Sequence, residues 1–312
     1  MPTDTATRIR LYRDYTGASH QAALDAVRSA THGIPPANTP EQAVLEAQLL
    51  AEFGRLGGEY WAHPLGISRV WHRPTGLAIW LDSHTILSSG EHHPASAAIV
   101  DGILPYWDPD SEVFGIPGLR VAGHRGALHL RSLCGRGAAV TLYGIQGTPW
   151  RQILRDRSAA LVESGAVPLW NEPKLTPSEI DHLKQFPDVG ANRKDIAWFG
   201  SGLLRRINLL YTHIDAYSAH AWVTEDRWSV EFSSSQTPQL GHDHFTTMLS
   251  DTSFGLPLQV AHRYCSCLTS QRYPAASCRI EMRIPDLTGS VDLRFQHWAS
   301  EQTRERRGLL HQ

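Results

Sequence analysis

The sequence predicts an α/β fold of the α+β type: two related antiparallel β-rich modules, each with a packed helix, plus N-terminal and central helical segments. Three observations predict it. The apolar spacing changes from the helical period to the strand period near residue 60, reverts near residue 150, and becomes strand-like again near residue 219. The stretch from Phe114 to Arg125 recurs as Phe254 to Arg263. The order helix, hairpin, helix, Phe-Gly-x-Pro strand, hairpin occurs twice. The expected division is a helix–turn–helix-like leader over 1–38, a first module over 39–148, a helical connector over 149–197, and a second module with its tail over 198–312.

The leader reads as two short helices. Leu11, Tyr12 and Tyr15 lie on the first, Gly17 can close it, and Ser19 can cap a second carrying Ala22, Ala23 and Val27. Thr39, Pro40 and Gln42 form a capping-box pattern ahead of Leu45, Leu49, Phe53 and Leu56 at helical spacing. Ser68 to His72 and Leu77 to Leu81 are strand-like around the turn Arg73-Pro74-Thr75-Gly76. A helix over Pro94 to Leu104 follows, then a strand at Leu119 to Ala122 and a hairpin turning at Gly135-Arg136-Gly137. In the connector, Thr176-Pro177-Ser178-Glu179 opens a short helix. Leu203, Ile207, Leu210 and Ile214 predict one long amphipathic helix. The β pattern returns at Ala219 to Val223 and Trp228 to Phe232, with a helix near His242 to Leu249 and a strand near Leu258 to Cys267. In the last hairpin Cys278, Ile280, Met282 and Ile284 share one face, opposite Val291, Leu293 and Phe295.

Between the two Phe-Gly-x-Pro stretches, eight of ten aligned positions are identical once two one-residue gaps are allowed. Upstream, Trp71 and Trp222 each precede a four-residue turn, with Leu77, Ile79 and Leu81 answering to Trp228, Val230 and Phe232. Gly115 and Gly255 permit a backbone turn that other residues resist, and the following Pro suits an edge or first-strand position.

Composition narrows the function classes. With 41% hydrophobic residues, 19% charged residues and a formal charge of −2, the 312-residue chain is an ordinary globular one and is not basic overall. A local basic patch is still compatible with that charge. No uninterrupted apolar run reaches the ~18 residues of a membrane helix, and Met1 to Arg10 lacks the apolar core of a secretory signal. Four cysteines without such a signal read as thiols or metal ligands. The expectation is a cytoplasmic protein, and the excess of Arg over Lys, 26 to 3, suggests a bacterial one.

Four groups of residues suggest chemistry. Glu91-His92-His93 and His242-Asp243-His244 each precede or open a predicted helix, about ten residues beyond an apolar strand. His92, His93, His242, Asp243 and His244 are therefore candidate ligand-binding residues, for an anion at a helix N-terminus or for a metal; otherwise Asp243 is a helix cap and the histidines are solvated. Cys265 and Cys267 alternate onto one strand face, and Cys278 can lie on a neighbouring strand. With His262, or His242 or His244, they would complete a tetrahedral zinc site, although C-x-C-x10-C is not a known finger spacing and buried thiols are common. Cys134 is expected in the core. Arg8, Arg10, Arg13 and Arg28 on the leader are candidate phosphate contacts of a helix–turn–helix reader, though the pair is short for a complete DNA-binding domain and can equally dock on protein. The opening helices, Arg8 to Arg28, resemble leaders of some actinobacterial accessory proteins over less than a tenth of the chain, and this resemblance implies no activity. Ten tryptophans would suit a stacking platform, but most fall at period-2 positions that should be core; the loop Tyr106-Trp107-Asp108-Pro109-Asp110 is a candidate contact surface.

The sequence carries no phosphate-binding G-x-x-x-x-G-K-[ST], G-x-S-x-G or H-E-x-x-H pattern. The expected function is a non-catalytic binding or assembly subunit of a bacterial accessory-genome system, with a protein partner and no membrane. Two alternatives remain: a metal-dependent hydrolase using the His/Asp clusters, and a DNA-binding regulator using the N-terminal helix pair.

Overall fold

The computed structural model describes residues 4–29, 33–56, 60–73, 76–86, 92–109, 112–186, 193–212, 216–224, 226–234, 238–265, 277–285 and 289–296. The leader is α1 (Thr5–Thr16) and α2 (His20–Ser29), and α3 (Pro40–Arg55) opens the first module. Its strands are β1 (Tyr60–Trp61), β2 (Ile67–Arg73), β3 (Gly76–Leu81), β4 (His84–Ile86) and β5 (His92–Pro94). After α4 (Ala95–Ile103) come β6 (Tyr106–Trp107), β7 (Val113–Phe114), β8 (Leu119–Gly123), β9 (Leu128–Ser132) and β10 (Ala139–Tyr143). The connector holds α5 (Trp150–Glu163), β11 (Val167–Pro168) and α6 (Pro177–Gln185). The second module has α7 (Ala197–Leu204), α8 (Leu209–Thr212), β12 (Ala216–Thr224), β13 (Arg227–Ser234), α9 (Pro238–Leu249), β14 (Gln259–Cys265), β15 (Ser277–Arg283) and β16 (Ser290–Gln296).

The duplication is plain in the sheets. One five-stranded sheet runs β2-β3-β10-β9-β8 and the other β12-β13-β16-β15-β14, the same order in each copy. Leu77 and Ile79 pair with Val140 and Leu142 just as Trp228 and Val230 pair with Val291 and Leu293. Even an irregularity repeats: the register shifts after Val121 in β8 and after Val260 in β14. The sheets are not wholly antiparallel. β3 with β10, and β13 with β16, run parallel, because between each pair the chain crosses over through a helix, α4 or α9.

The repeated Phe-Gly-x-Pro has a shared physical role. The Ile116 amide donates to the carbonyl of Ile103 at the end of α4, and the Leu256 amide to that of Leu249 at the end of α9. A side chain on Gly115 would lie 2.5 Å from the Leu104 carbonyl oxygen, and one on Gly255 equally close to that of Leu249. Gly115 also has a φ of +72°, whereas Gly255 is needed for close approach alone. Each motif leads into an edge strand.

Between the sheets, α3 packs on α7 and on β12, and one contiguous hydrophobic core spans both modules. Glu46 on α3 forms a two-pronged ion pair with Arg205, at 2.6 and 2.7 Å, and accepts from Ser201 at 2.6 Å. Thr39 caps α3 through the Gln42 amide, as its sequence pattern predicts. Gln42 does not complete the box: its side-chain amide bonds both backbone groups of Ala139, fastening α3 to β10. At α6 the box is complete, and Glu179 is shared with Arg120 in a fully buried bidentate pair.

The predicted long helix through Leu203 to Ile214 is broken into α7 and α8, and Ile214 lies outside the described residues. The backbone tightens to i→i+3 bonds from Arg206 onward. Arg206 donates to the carbonyls of Phe254, Gly202 and Gly255 at 2.6–3.0 Å, and the Asn208 side chain to those of Arg13 and Asp14. The break thus trades helical continuity for bonds that lock in the second Phe-Gly-x-Pro turn and the leader.

A candidate metal centre on the second sheet

Helix α9 begins four residues earlier than the sequence suggests, so His242 and Asp243 lie within it and Asp243 is not its cap. His242, Phe245, Thr246 and Leu249 form the buried stripe. This stripe turns the His242 ring towards the end of the β14–β15 pair, where Cys265 and Cys278 are direct cross-strand partners. His242 Nε2 lies 3.2 Å from Cys265 Sγ, which lies 3.0 Å from Cys278 Sγ. His242 and Cys278 are buried, Cys265 partly so, and the Phe295 ring flanks the imidazole. Among the described residues this is the one grouping of three or more His, Cys, Asp or Glu whose ligating atoms all lie within 4.8 Å of one another.

The donor set fits zinc. Two thiols and an imidazole are three of the ligands of a tetrahedral Cys/His site. Ligand thiolates around zinc stand about 3.8 Å apart, from Zn–S bonds of about 2.3 Å, so binding requires a small opening of the two sulfurs. The other imidazole nitrogen, Nδ1, is 2.8 Å from Asp243 Oδ1, and Arg263 pairs with the same carboxylate oxygen. A carboxylate behind a ligating imidazole fixes its orientation and raises its basicity, the usual support for a metal-bound histidine.

The other predicted residues are distributed differently. Cys267 lies outside the described residues. His262 does not join the cluster: it pairs with Glu281 on the outer face of the sheet, whereas Cys265 pairs with Cys278 on the inner face. His244 is exposed on α9. His93 sits in β5, ahead of α4, so the two histidine clusters occupy different places relative to their helices, and the side chain of His92 is outside the description. Cys134 is exposed on the β9–β10 turn, not in the core, with its thiol 3.5 Å from the Pro117 carbonyl.

The leader docks on its own chain. Tyr12 bonds His72 of β2 at 2.9 Å, and Tyr15 donates to the Met248 carbonyl at 2.5 Å. Arg10, Arg13 and Arg28 are exposed and Arg8 is half-buried. Arg13 is drawn towards the Ala18 carbonyl at the turn. Tyr106 and Trp107 form β6 of a small sheet, with Tyr106 stacked on Phe114 and Trp107 outward; Asp110 is outside the description. A cleft between the modules is lined by Glu52, Arg55, Phe114, Pro117 and Trp222.

Comparison of the chain with protein families, with curated proteins and with solved structures finds no match. No helix among the described residues is long and apolar enough to cross a membrane.

The cysteine–histidine cluster was half legible. The strand periodicity put Cys265 on a sheet face that Cys278 could share from a neighbouring strand; selecting His242 over His262 required the strand bulge and the true start of α9. The buried Glu46–Arg205 pair gave no sequence signal beyond an acid in an apolar stripe.

Proposed function

We propose that the protein is a non-catalytic binding or assembly subunit whose second module is braced by a zinc ion held by Cys265, Cys278 and His242. The observation that carries this reading is the convergence of those three ligating atoms, with Asp243 behind the imidazole. Zinc closed by four Cys/His ligands holds structure, whereas three protein ligands, Cys2His included, leave a position for water or substrate; the bracing reading takes a fourth ligand to close this site. The cluster also lies at the base of residues 266–276, a connection absent from the first copy, where the equivalent hairpin turns directly through 124–127. A metal there would tie the ends of β14 and β15 to α9.

The test is native mass spectrometry of protein prepared reduced with zinc present, paired with thermal unfolding before and after chelation. One zinc per chain, lost in Cys278→Ser and accompanied by a lower melting temperature on chelation, is the expected result. Protein that takes up no zinc overturns the metal centre. Zinc removed with no change in melting temperature overturns the bracing role and favours a metal-dependent hydrolase.

A further inference from the structure

The two sheets have the same topology but differ in the acids on their outer surfaces. In the second sheet three outward arginines meet acids of their own sheet: Arg279 and Arg294 both pair with Asp292, at 2.6 and 3.0 Å, and Arg283 pairs with Glu281. Arg294 also lies over the Trp222 ring, and Arg227 has no acid partner among the described residues. The five strands of the first sheet contain no aspartate or glutamate at all. Two of their outward cations, Arg69 and Arg73, rest on aromatic rings with no acid beside them among the described residues. The Arg69 guanidinium lies 4.2 Å from the Trp80 ring centre, and Arg73 lies 5.7 Å from both Trp71 and Tyr143 and bonds the Tyr143 hydroxyl at 2.7 Å.

The rings form one stacked group that ends at exposed Trp71. Trp80 and Tyr143 are 4.5 Å apart and 8° from parallel, and Trp71 is stacked beside Trp80 at 6.4 Å. Strand register puts Arg69, Trp80 and Tyr143 in one row across β2, β3 and β10, with Trp71, Ala78 and Thr141 in the next. Arg131 lies further along on β9, exposed, and Trp71 is 40% exposed. Among the described residues none of Arg69, Arg73 and Arg131 has a carboxylate partner. An arginine held by a π face keeps its full charge, whereas one held by a carboxylate does not.

We propose that this outer face, where Trp71, Trp80 and Tyr143 lie among unpaired arginines, binds single-stranded nucleic acid. Unpaired bases stack on exposed Trp71, backed by the half-buried Trp80–Tyr143 stack, and the phosphates meet Arg69, Arg73 and Arg131. A duplex buries its base faces and cannot use the rings; an acidic peptide would use the cations and leave the rings idle. The inference rests on the reading of the chain as a binding protein, but not on zinc. Oligonucleotide binding by zinc-free protein would therefore separate failure of the metal centre from failure of this face.

The experiment is fluorescence anisotropy of the full chain with a labelled oligothymidylate or oligouridylate of about 15 nucleotides at about 50 mM salt. Saturable binding is expected, weakened about tenfold by Trp71→Ala and also by Arg131→Ala, both exposed positions whose loss spares the core. Trp222→Ala on the second sheet should leave affinity unchanged. With three phosphate contacts, log affinity should fall with log salt at a slope of about −2. No binding overturns the proposal. So does binding that survives both first-sheet substitutions, binding to duplex that is equally tight and lost in Arg10→Ala, or competition by polyglutamate as effective as by unlabelled oligonucleotide.

Discussion

Glu46 and Arg205 show how much a single buried contact can hold. Their side chains are almost wholly buried and lie between α3 of one module and α7 of the other. Breaking such a pair strands a charge without water, at a typical cost of about 3–5 kcal/mol. Glu46→Ala should therefore destabilise by that order, and Glu46→Ala with Arg205→Met by clearly less, as read from urea midpoints. His72 is the opposite case, a half-buried base beside two cations. Burial, reinforced by Arg205 and Arg206, holds its pKa well below the ordinary value. The unfolded chain therefore takes up a proton first, near pH ~6.5, and stability falls as pH drops below that value. The melting temperature should decline between about pH 7 and 5, and the decline should flatten in His72→Gln. Neither prediction was legible in the sequence, because the arginines that face His72 and Glu46 lie more than a hundred positions away.

Local signals at the level of elements were clear where one residue type decided the geometry. Gly17 closes α1 in the left-handed conformation, and Thr176 with Glu179 builds the capping box of α6, both as the sequence predicts. They failed where distant partners overruled periodicity, as in the division of α7 from α8 by Arg206 and Asn208. The paired glycines give a graded test. Gly115→Ala meets both a positive φ and a carbonyl contact, whereas Gly255→Ala meets backbone contacts at an ordinary φ. Both should lower stability, by about 1–3 kcal/mol for the strain at Gly115 alone. The two melting temperatures, measured side by side, weigh the conformational term against the steric one.

Across the whole molecule, the two modules share a core through α3, so neither can lose its packing without the other. Urea unfolding followed by far-ultraviolet circular dichroism and by tryptophan fluorescence should give one coincident transition, since Trp61 and Trp228 are both buried in that continuous core. Two separated transitions would make the modules independent. Fold class and duplication were legible because strand period and the Phe-Gly-x-Pro repeat are local; the contact of α3 with β12 was not, because nothing in α3 identifies which sheet it will cover.

Placing both copies on one chain has a consequence for how their surfaces can diverge. In a pair of identical subunits every substitution appears twice, so an acid added to quiet one sheet would quiet the other as well. Here Asp292 and Glu281 pair three arginines of one face, while the strands of its twin hold no acid and leave Arg69 and Arg73 on aromatic rings. Tethering breaks the symmetry, and each half becomes free to carry a change the other could not tolerate.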